Sequence, residues 1–453
     1  MHSDSKLGTE KIGKLMLRMA LPAVVAQMIN LLYNLVDRIY IGHIEGEGQM
    51  ALTGLGICFP LLMIVSAFSS FAGMGGAPLA AIELGKGDHE KAERILGNAV
   101  FMLIVSSAVL TGAFLVFKEQ LLYAFGASAN TIGYASDYLG IYLIGTLFVQ
   151  LALGLNGYIS AQGRSFIAMM SVAIGAVLNI ILDPIFIFTM SMGVKGAALA
   201  TIISQGVSAV WVVGFLFVKS SSLRIRIRMM RPQGRIIGKI AALGVSPFIM
   251  QVTESAIVFV FNNGLLTYGN DLYVGTITIL QSVLQVCIVP VQGFTQGVQP
   301  IISYNYGAKN YGRVQETINR MQRVIIPLMA IVCIAACVFP KAVVSVFTDG
   351  EELRTLAAQV MPVFLCGMSI FGIQMCAQSA FIGLGQAKVS LFIALLRKVI
   401  LIIPLALILP RLGLGVWGIY LSEPISDVIS ATTAGVLLRK YRRKLLTNGD
   451  EAV

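Results

Sequence analysis

Charge is scarce in this chain. Of its 453 residues only 12% are Asp, Glu, Lys or Arg, about half the share of a soluble domain. A water-soluble globule is therefore excluded. Histidine is scarcer still, with His2, His43 and His89 alone and none at metal-ligand spacing from another. The six cysteines, Cys58, Cys287, Cys333, Cys337, Cys366 and Cys376, all fall inside apolar runs, without the paired spacing of a zinc site. Cys333 and Cys337, one helical turn apart, read as small packing residues. No Walker loop and no HExxH occurs, so the energy for any work must come from an ion gradient or a transported solute. No catalytic constellation appears, and the chain is not expected to be an enzyme. The N-terminal "MHSDSKLGTEKIGKLMLRMALP" is followed by a run too long for a signal peptide and lacks a small-residue cleavage site, so the first run is expected to stay.

What is there is apolar. Hydrophobic residues make up 57% of the chain, and its mean hydropathy is +0.82. About 20 apolar residues cross a hydrocarbon core about 30 Å thick. About twelve runs of that kind follow one another, near 15–41, 51–83, 95–117, 134–161, 165–189, 194–218, 239–268, 273–304, 320–346, 355–383, 388–410 and 414–438. They lack the alternation of barrel strands. The expected class is an all-α membrane protein with twelve transmembrane helices.

Basic residues set the orientation. With the N-terminus in the cytoplasm, 25 of the 33 Lys and Arg fall on that side and five on the other, with Arg38, Arg397 and Lys398 inside runs. Both termini are thus expected in the cytoplasm. The central "SSSLRIRIRMMRPQGR" is read as facing anionic lipid and fixing topology; nucleic acid is not an expected partner.

The chain also repeats itself. Pro22 in "GKLMLRMALP" matches Pro247 in "GKIAALGVSP", an offset of 225. Pro78 and Gly85 match Pro300 and Gly307, Gly163 matches Gly385, and Gly196 matches Gly418, all at 222. Each repeat holds six helices. Six is even, so both halves enter the membrane from one side, as two six-helix bundles related by a pseudo-two-fold axis along the membrane normal. The expected division is an N-lobe at 1–218, a basic cytoplasmic linker at 219–238, and a C-lobe with a basic tail at 239–453.

Within this apolar frame a few acids stand out. Asp37 lies inside the first run, where a charge costs roughly 2.5–3.5 kcal/mol on insertion scales. Pairing with Arg38 does not explain it, since adjacent helical residues do not face each other. In "LNIILDPIFIF", Asn179 and Asp183 are four apart on one face, and Pro184 frees backbone carbonyls beside them. Glu254, in "SPFIMQVTESAIVFVF", is a second-lobe acid at a position not equivalent to Asp37. Gln281 and Gln285 share one helical face, as do Gln374 and Gln378. With Gln251 and Glu254 they either line a wet cavity or join helices by hydrogen bonds. Glu423 and Asp427, four apart, are expected to pair with Arg397 and Lys398.

These residues resemble the multidrug and toxic compound extrusion (MATE) family, in its bacterial drug-efflux form. The resemblance covers nearly the whole chain. It is carried by "YNLVDRIYIG", the pair "FAGMGGAP" and "FTQGVQP", the turns "LGKGD" and "YGAKN", and "LNIILDPIFIF". It implies an antiporter exporting bulky, often cationic, drug-like compounds against Na⁺ or H⁺, with no cofactor beyond that coupling ion. It implies a multi-pass monomer among the lipids of a bacterial plasma membrane. It also implies a cation site at Asp37, Asn179, Asp183 and Thr201, the first three as ligands if the ion is Na⁺. All four are oxygen donors, and two carboxylates in one dry pocket repel, so one can hold a proton. A second-lobe partner acid is not found: Phe371 stands where relatives carry an aspartate. Glu254 is therefore read as a substrate counter-charge or proton relay, with Gln251, Gln281, Gln285, Gln374 and Gln378 as substrate-binding candidates. The alternatives are a lipid-linked sugar or lipid flippase of the same superfamily, and a non-transporting scaffold.

Overall fold

A computed structural model describes residues 5–44, 46–218, 221–348 and 350–450. His2 and Lys219, and the outer ends of the expected lobes, lie outside them. Twelve helical spans follow in order: α1 Ile12–Gly42, α2 Gly48–Gly85, α3 His89–Val116, α4 Ile132–Ile144 with Thr146–Ala161, α5 Ser165–Thr189 and α6 Val194–Phe217. The second set is α7 Gly234–Tyr268, α8 Asp271–Gly307, α9 Tyr311–Val338, α10 Glu351–Leu365 with Met368–Gly383, α11 Ala387–Leu412 and α12 Gly415–Asp450. They form two six-helix bundles, as expected. Two expected straight runs are bent instead, α4 by 60° and α10 by 48°. The bends fall at Gly145 and at Cys366–Gly367, where the chain turns between two helical segments. The ninth run, expected to reach 346, stops at Val338. Pro340 cannot continue the helix and starts a separate short one, Pro340–Val344.

The repeat is written into the backbone. Left-handed φ occurs at Gly87 and Lys309, Gly163 and Gly385, Ser191 and Gly413, and Gly193 and Gly415. Each pair is 222 apart, so both halves make the same turns at the same places. The turn before α3 is closed by Asp88, whose side chain accepts from the Lys91 amide at 2.9 Å. Its counterpart before α9 is Asn310, which accepts from the Arg313 amide. Both are good N-cap types because their short side chains reach the orphan amides of the first turn.

Lipid tails are as apolar as leucine, so close packing rather than hydrophobic burial must join the lobes. Small residues supply it. A Cβ on Gly85 of α2 would lie 2.0 Å from the Tyr304 carbonyl oxygen of α8, and one on Gly307 would lie 1.9 Å from that of Ile82. The inter-lobe hydrogen bonds belong to the same half of the molecule. Gln27 donates to Gln296 at 2.9 Å, Gln251 donates to Ser70 at 3.1 Å, and Asn305 donates to the Leu7 carbonyl at 2.9 Å. Phe248 of α7 packs edge-on against Phe68 and Phe71 of α2. The lobes are thus sealed at the end that carries the N-terminal segment and the linker. Arg313 adds bonds to the Leu7 and Glu10 carbonyls at the same end. The linker is not a loose tether. Leu223 and Ile225 are buried in the first-lobe core. Gln162 accepts from the Ser221 hydroxyl and from the Ser222 and Leu223 amides.

Candidate functional site

In the N-lobe, four expected site residues are buried. Asp183 and Asn179 are on α5, Thr201 is on α6, and Asp37 is on α1. The Asn179 amide donates to Asp183 Oδ1 at 3.2 Å. Helical spacing brings these two together, and Pro184 ends the regular α-helix directly after them. The next turn, Ile185–Thr189, is a widened π turn. Asp37 of α1 and Asp183 of α5 lie close enough to act on each other electrostatically. The Arg38 guanidinium lies over the Phe59 ring, 5.3 Å from its centroid.

Three oxygens in this cluster, Asp37 Oδ1, Asn179 Oδ1 and Asp183 Oδ2, are buried without a hydrogen-bond partner. Each is an acceptor with no donor offered to it. A buried polar group in that position is costly unless something satisfies it. A cation or a proton would do so, and oxygen is the donor type that a hard cation takes. Asn179 and Thr201 also line a cavity of about 30 Å³, with Asn30, Tyr33, Asn156 and Gln205 on its wall. That is room for a water-sized guest.

Several of these wall residues were not singled out from the sequence. Tyr33 stands four before Asp37, and Gln205 four after Thr201. The same i, i+4 spacing that flagged Asn179 and Asp183 would have found them. Tyr33 and Gln205 share the cavity wall, and Tyr138 of α4 is buried close to Thr201. Tyr138 had no such signal, because only the fold brings α4 against α6.

In the C-lobe, α11 carries a π turn at Leu396–Ile402. It holds Arg397 and Lys398 buried side by side. Arg397 donates to Glu423 at 2.6 Å and to Asp427 at 2.8 Å. Its guanidinium lies over the Phe371 ring at 4.3 Å from the centroid. The aromatic face at that position therefore supports the cation. Lys398 pairs with Glu254 and also donates to the Met250 carbonyl at 2.8 Å. Glu254 is thus engaged rather than free.

The glutamines separate into two groups. Gln374 is buried and accepts from the Ser430 hydroxyl at 2.5 Å. Gln378 donates to the Ser246 and Ser390 hydroxyls at 2.6 and 2.9 Å. Both amides are used in joining helices inside the C-lobe. Gln281 is half-buried and Gln285 is exposed on α8, while Gln251 sits at the inter-lobe seam.

The MatE family model matches this chain over residues 22–185 and again over 247–408. The chain belongs to the MATE family. The two matches begin at the paired prolines Pro22 and Pro247, as a duplicated six-helix unit requires. The multidrug export protein MepA of Staphylococcus haemolyticus is 26% identical over 434 residues, covering 96% of this chain and 95% of that protein. MepA of Staphylococcus aureus strain MSSA476 is 25% identical over 442 residues, covering 98% and 97%. Among solved structures, the MATE transporter in its bent conformation superposes with a TM-score of 0.92 at 23% identity, covering 99% of both chains. An outward-facing multidrug resistance MATE transporter superposes with a TM-score of 0.89 at 23% identity, covering 98% of both. These likenesses establish the twelve-helix, two-bundle fold. The chain is a multi-pass membrane protein of a transporter family.

Proposed function

We propose that this MATE protein is a secondary multidrug exporter of a bacterial plasma membrane. It exchanges bulky, often cationic organic compounds for Na⁺ or H⁺. The observation that carries this reading is the trio of partnerless buried oxygens on Asp37, Asn179 and Asp183. Their convergence makes a cation acceptor that only a coupling ion or proton completes, with Thr201 on the adjoining cavity wall. The full-length likeness to the MepA multidrug export proteins supports the export of drugs.

In this reading the chain divides into an N-lobe at 1–218, a linker at 219–238 and a C-lobe at 239–453. Both termini face the cytoplasm in this reading, so the sealed end is cytoplasmic and the cleft opens outward. Glu254, Gln251, Gln281 and Gln285 are the substrate-facing set in this reading. An entering cation binds in the N-lobe and favours the state that holds drug less tightly. Coupling requires that difference in affinity between the two states. Vesicles with separately imposed Na⁺ and pH gradients test the reading. Drug uptake into inverted vesicles is expected under one of them. Uptake under neither overturns it.

A further inference from the structure

The ion pair between Lys398 and Glu254 is lopsided. The Lys398 side chain is only 8% exposed, whereas that of Glu254 is 58% exposed. A guest can approach the carboxylate from its open side without first removing the lysine. The lysine cannot leave for water. It is anchored from behind by the Met250 carbonyl and by the π turn that carries it. Arg397, its neighbour, is committed elsewhere, to Glu423, Asp427 and the Phe371 face. Lys398 is held more simply, by one carboxylate and one carbonyl.

Charge balance gives this arrangement a direction. The cluster holds three acids, Glu254, Glu423 and Asp427, and two bases, Arg397 and Lys398. With all five ionised its net charge is −1. One monovalent cation at Glu254 brings it to zero. When it gives up Glu254, Lys398 still has the Met250 carbonyl, 2.8 Å from its ammonium. The displaced lysine therefore keeps a partner while the guest occupies Glu254.

We propose that Lys398 is a built-in cation that competes with cationic substrate for Glu254. It yields the carboxylate when an organic cation enters and reclaims it to expel that cation. This rests on the reading of Glu254 as a substrate counter-charge. It goes beyond that reading in assigning the specificity-determining competitor. The lysine does from within the chain what a second coupling ion would do from solution. It selects for guests with one positive charge and discriminates against neutral ones, which gain nothing by displacing it.

The test is equilibrium binding to the purified full chain of tetraphenylphosphonium, a non-titrating monovalent cation. Neutral triphenylphosphine oxide is the matched control. Lys398→Met is expected to bind the cation tighter by roughly 5–150-fold, the usual span of a coupling between two ligands. The neutral probe should bind as in wild type, and Lys398→Arg should resemble wild type for both. In transport, Lys398→Met should lower KM and kcat together for the cation, since the bound guest is no longer expelled. Unchanged or weaker cation binding in a Lys398→Met protein that melts like wild type overturns the competitor role. Glu254→Gln separates the two readings. If it leaves cation binding unchanged, the counter-charge reading itself fails. If it weakens binding while Lys398→Met does not strengthen it, only the competitor fails. Should Lys398→Met not fold, the wild-type protein still decides. Reductive methylation of Lys398, followed by peptide mapping, is expected to speed up with tetraphenylphosphonium and not with triphenylphosphine oxide. No change, or protection, overturns the proposal.

Discussion

Gly85 and Gly307, equivalent residues of the two repeats, each press against the backbone of the other lobe. Gly85 meets the Tyr304 carbonyl, and Gly307 meets that of Ile82. Neither leaves room for a side chain. The obstacle on each side is backbone, which cannot swing aside as a side-chain tip can. The seam at the end carrying the linker therefore closes only while both positions are glycine. Overpacking a fitted contact costs about 1–3 kcal/mol, and this penalty falls on the sealed state alone. At tenfold per 1.4 kcal/mol, Gly307→Val is expected to move the balance toward the opposite opening by roughly 5- to 150-fold. A cysteine placed at Ser70, in a chain without native cysteines, reports it. Its labelling from the linker side should accelerate in the Gly307→Val background. Equal rates would mean that the seam yields elsewhere.

Lys309 occupies the same left-handed turn position as Gly87, with φ of 57° against 80°. For a residue with a Cβ that region costs roughly 1–2 kcal/mol, part of which glycine returns as chain entropy. Lys309→Gly is expected to stabilise the protein by about 0.5–1 kcal/mol, and Gly87→Ala to destabilise it by a similar amount. Thermal melting of the purified variants checks both signs.

These two cases show what a sequence with an internal repeat discloses. Equivalent prolines and glycines at a nearly constant offset gave away the two bundles and the turns, because a glycine forced by geometry must recur when the geometry recurs; that Gly85 and Gly307 meet the opposite lobe was visible only in the fold. The N-lobe acids were equally legible. An acid within an apolar run is too costly to keep without a use, and i, i+4 spacing names its helical neighbours. The C-lobe network was legible only in outline. Arg397 with Glu423 and Asp427 follows from their positions on adjacent helices. The pairing of Lys398 with Glu254 does not, because a π turn in α11 decides which way two neighbouring bases face. Nor did Gln378 announce its use. A glutamine that lines a cavity and one that bonds Ser246 and Ser390 read the same in one dimension.

The proposed orientation rests on the distribution of Lys and Arg, and two exposed positions test it. Ile227, in the linker, is 79% exposed. Ala129 is exposed between α3 and α4. In a cysteine-free background, Ala129→Cys should react with an impermeant reagent in intact cells. Ile227→Cys should react only after the membrane is opened. The reverse pattern would invert the protein, and with it the direction in which the cleft opens.

Arg397 is the fixed point of the second lobe. Removing one partner of a buried ion pair costs about 3–5 kcal/mol, because a charge is left uncompensated. Arg397→Met strands two acids at once and is expected to lie at the upper end of that range. The triple replacement Arg397→Met, Glu423→Gln, Asp427→Asn leaves no stranded charge and should recover much of the loss. Melting temperatures of the single and triple variants measure the difference. A triple variant no more stable than the single one would show that packing, not charge, accounts for the loss.

Asp37 tests the transport reading most directly. Its Oδ1 is buried without a partner, and no hydrogen bond or salt bridge ties its carboxylate to a base among the described residues. As an ordinary structural group it would be better replaced by an amide, which can donate to the acceptors around it. Asp37→Asn should therefore leave folding and expression near wild type or slightly improved. Coupling is another matter. An asparagine removes the charge that holds the cation and cannot take up and release a proton, so gradient-driven export should be abolished. Drug binding to the purified protein should survive, because Glu254 lies in the other lobe. Asp183→Asn should behave alike. The double variant should be little worse than either single one, since residues serving one site do not add. The measurement is cation-triggered release of a bound fluorescent drug. If Asp37→Asn still releases it at the cation concentration that empties the wild type, Asp37 is not the coupling group. Three acceptor oxygens would then stand in a dry pocket for a reason other than transport.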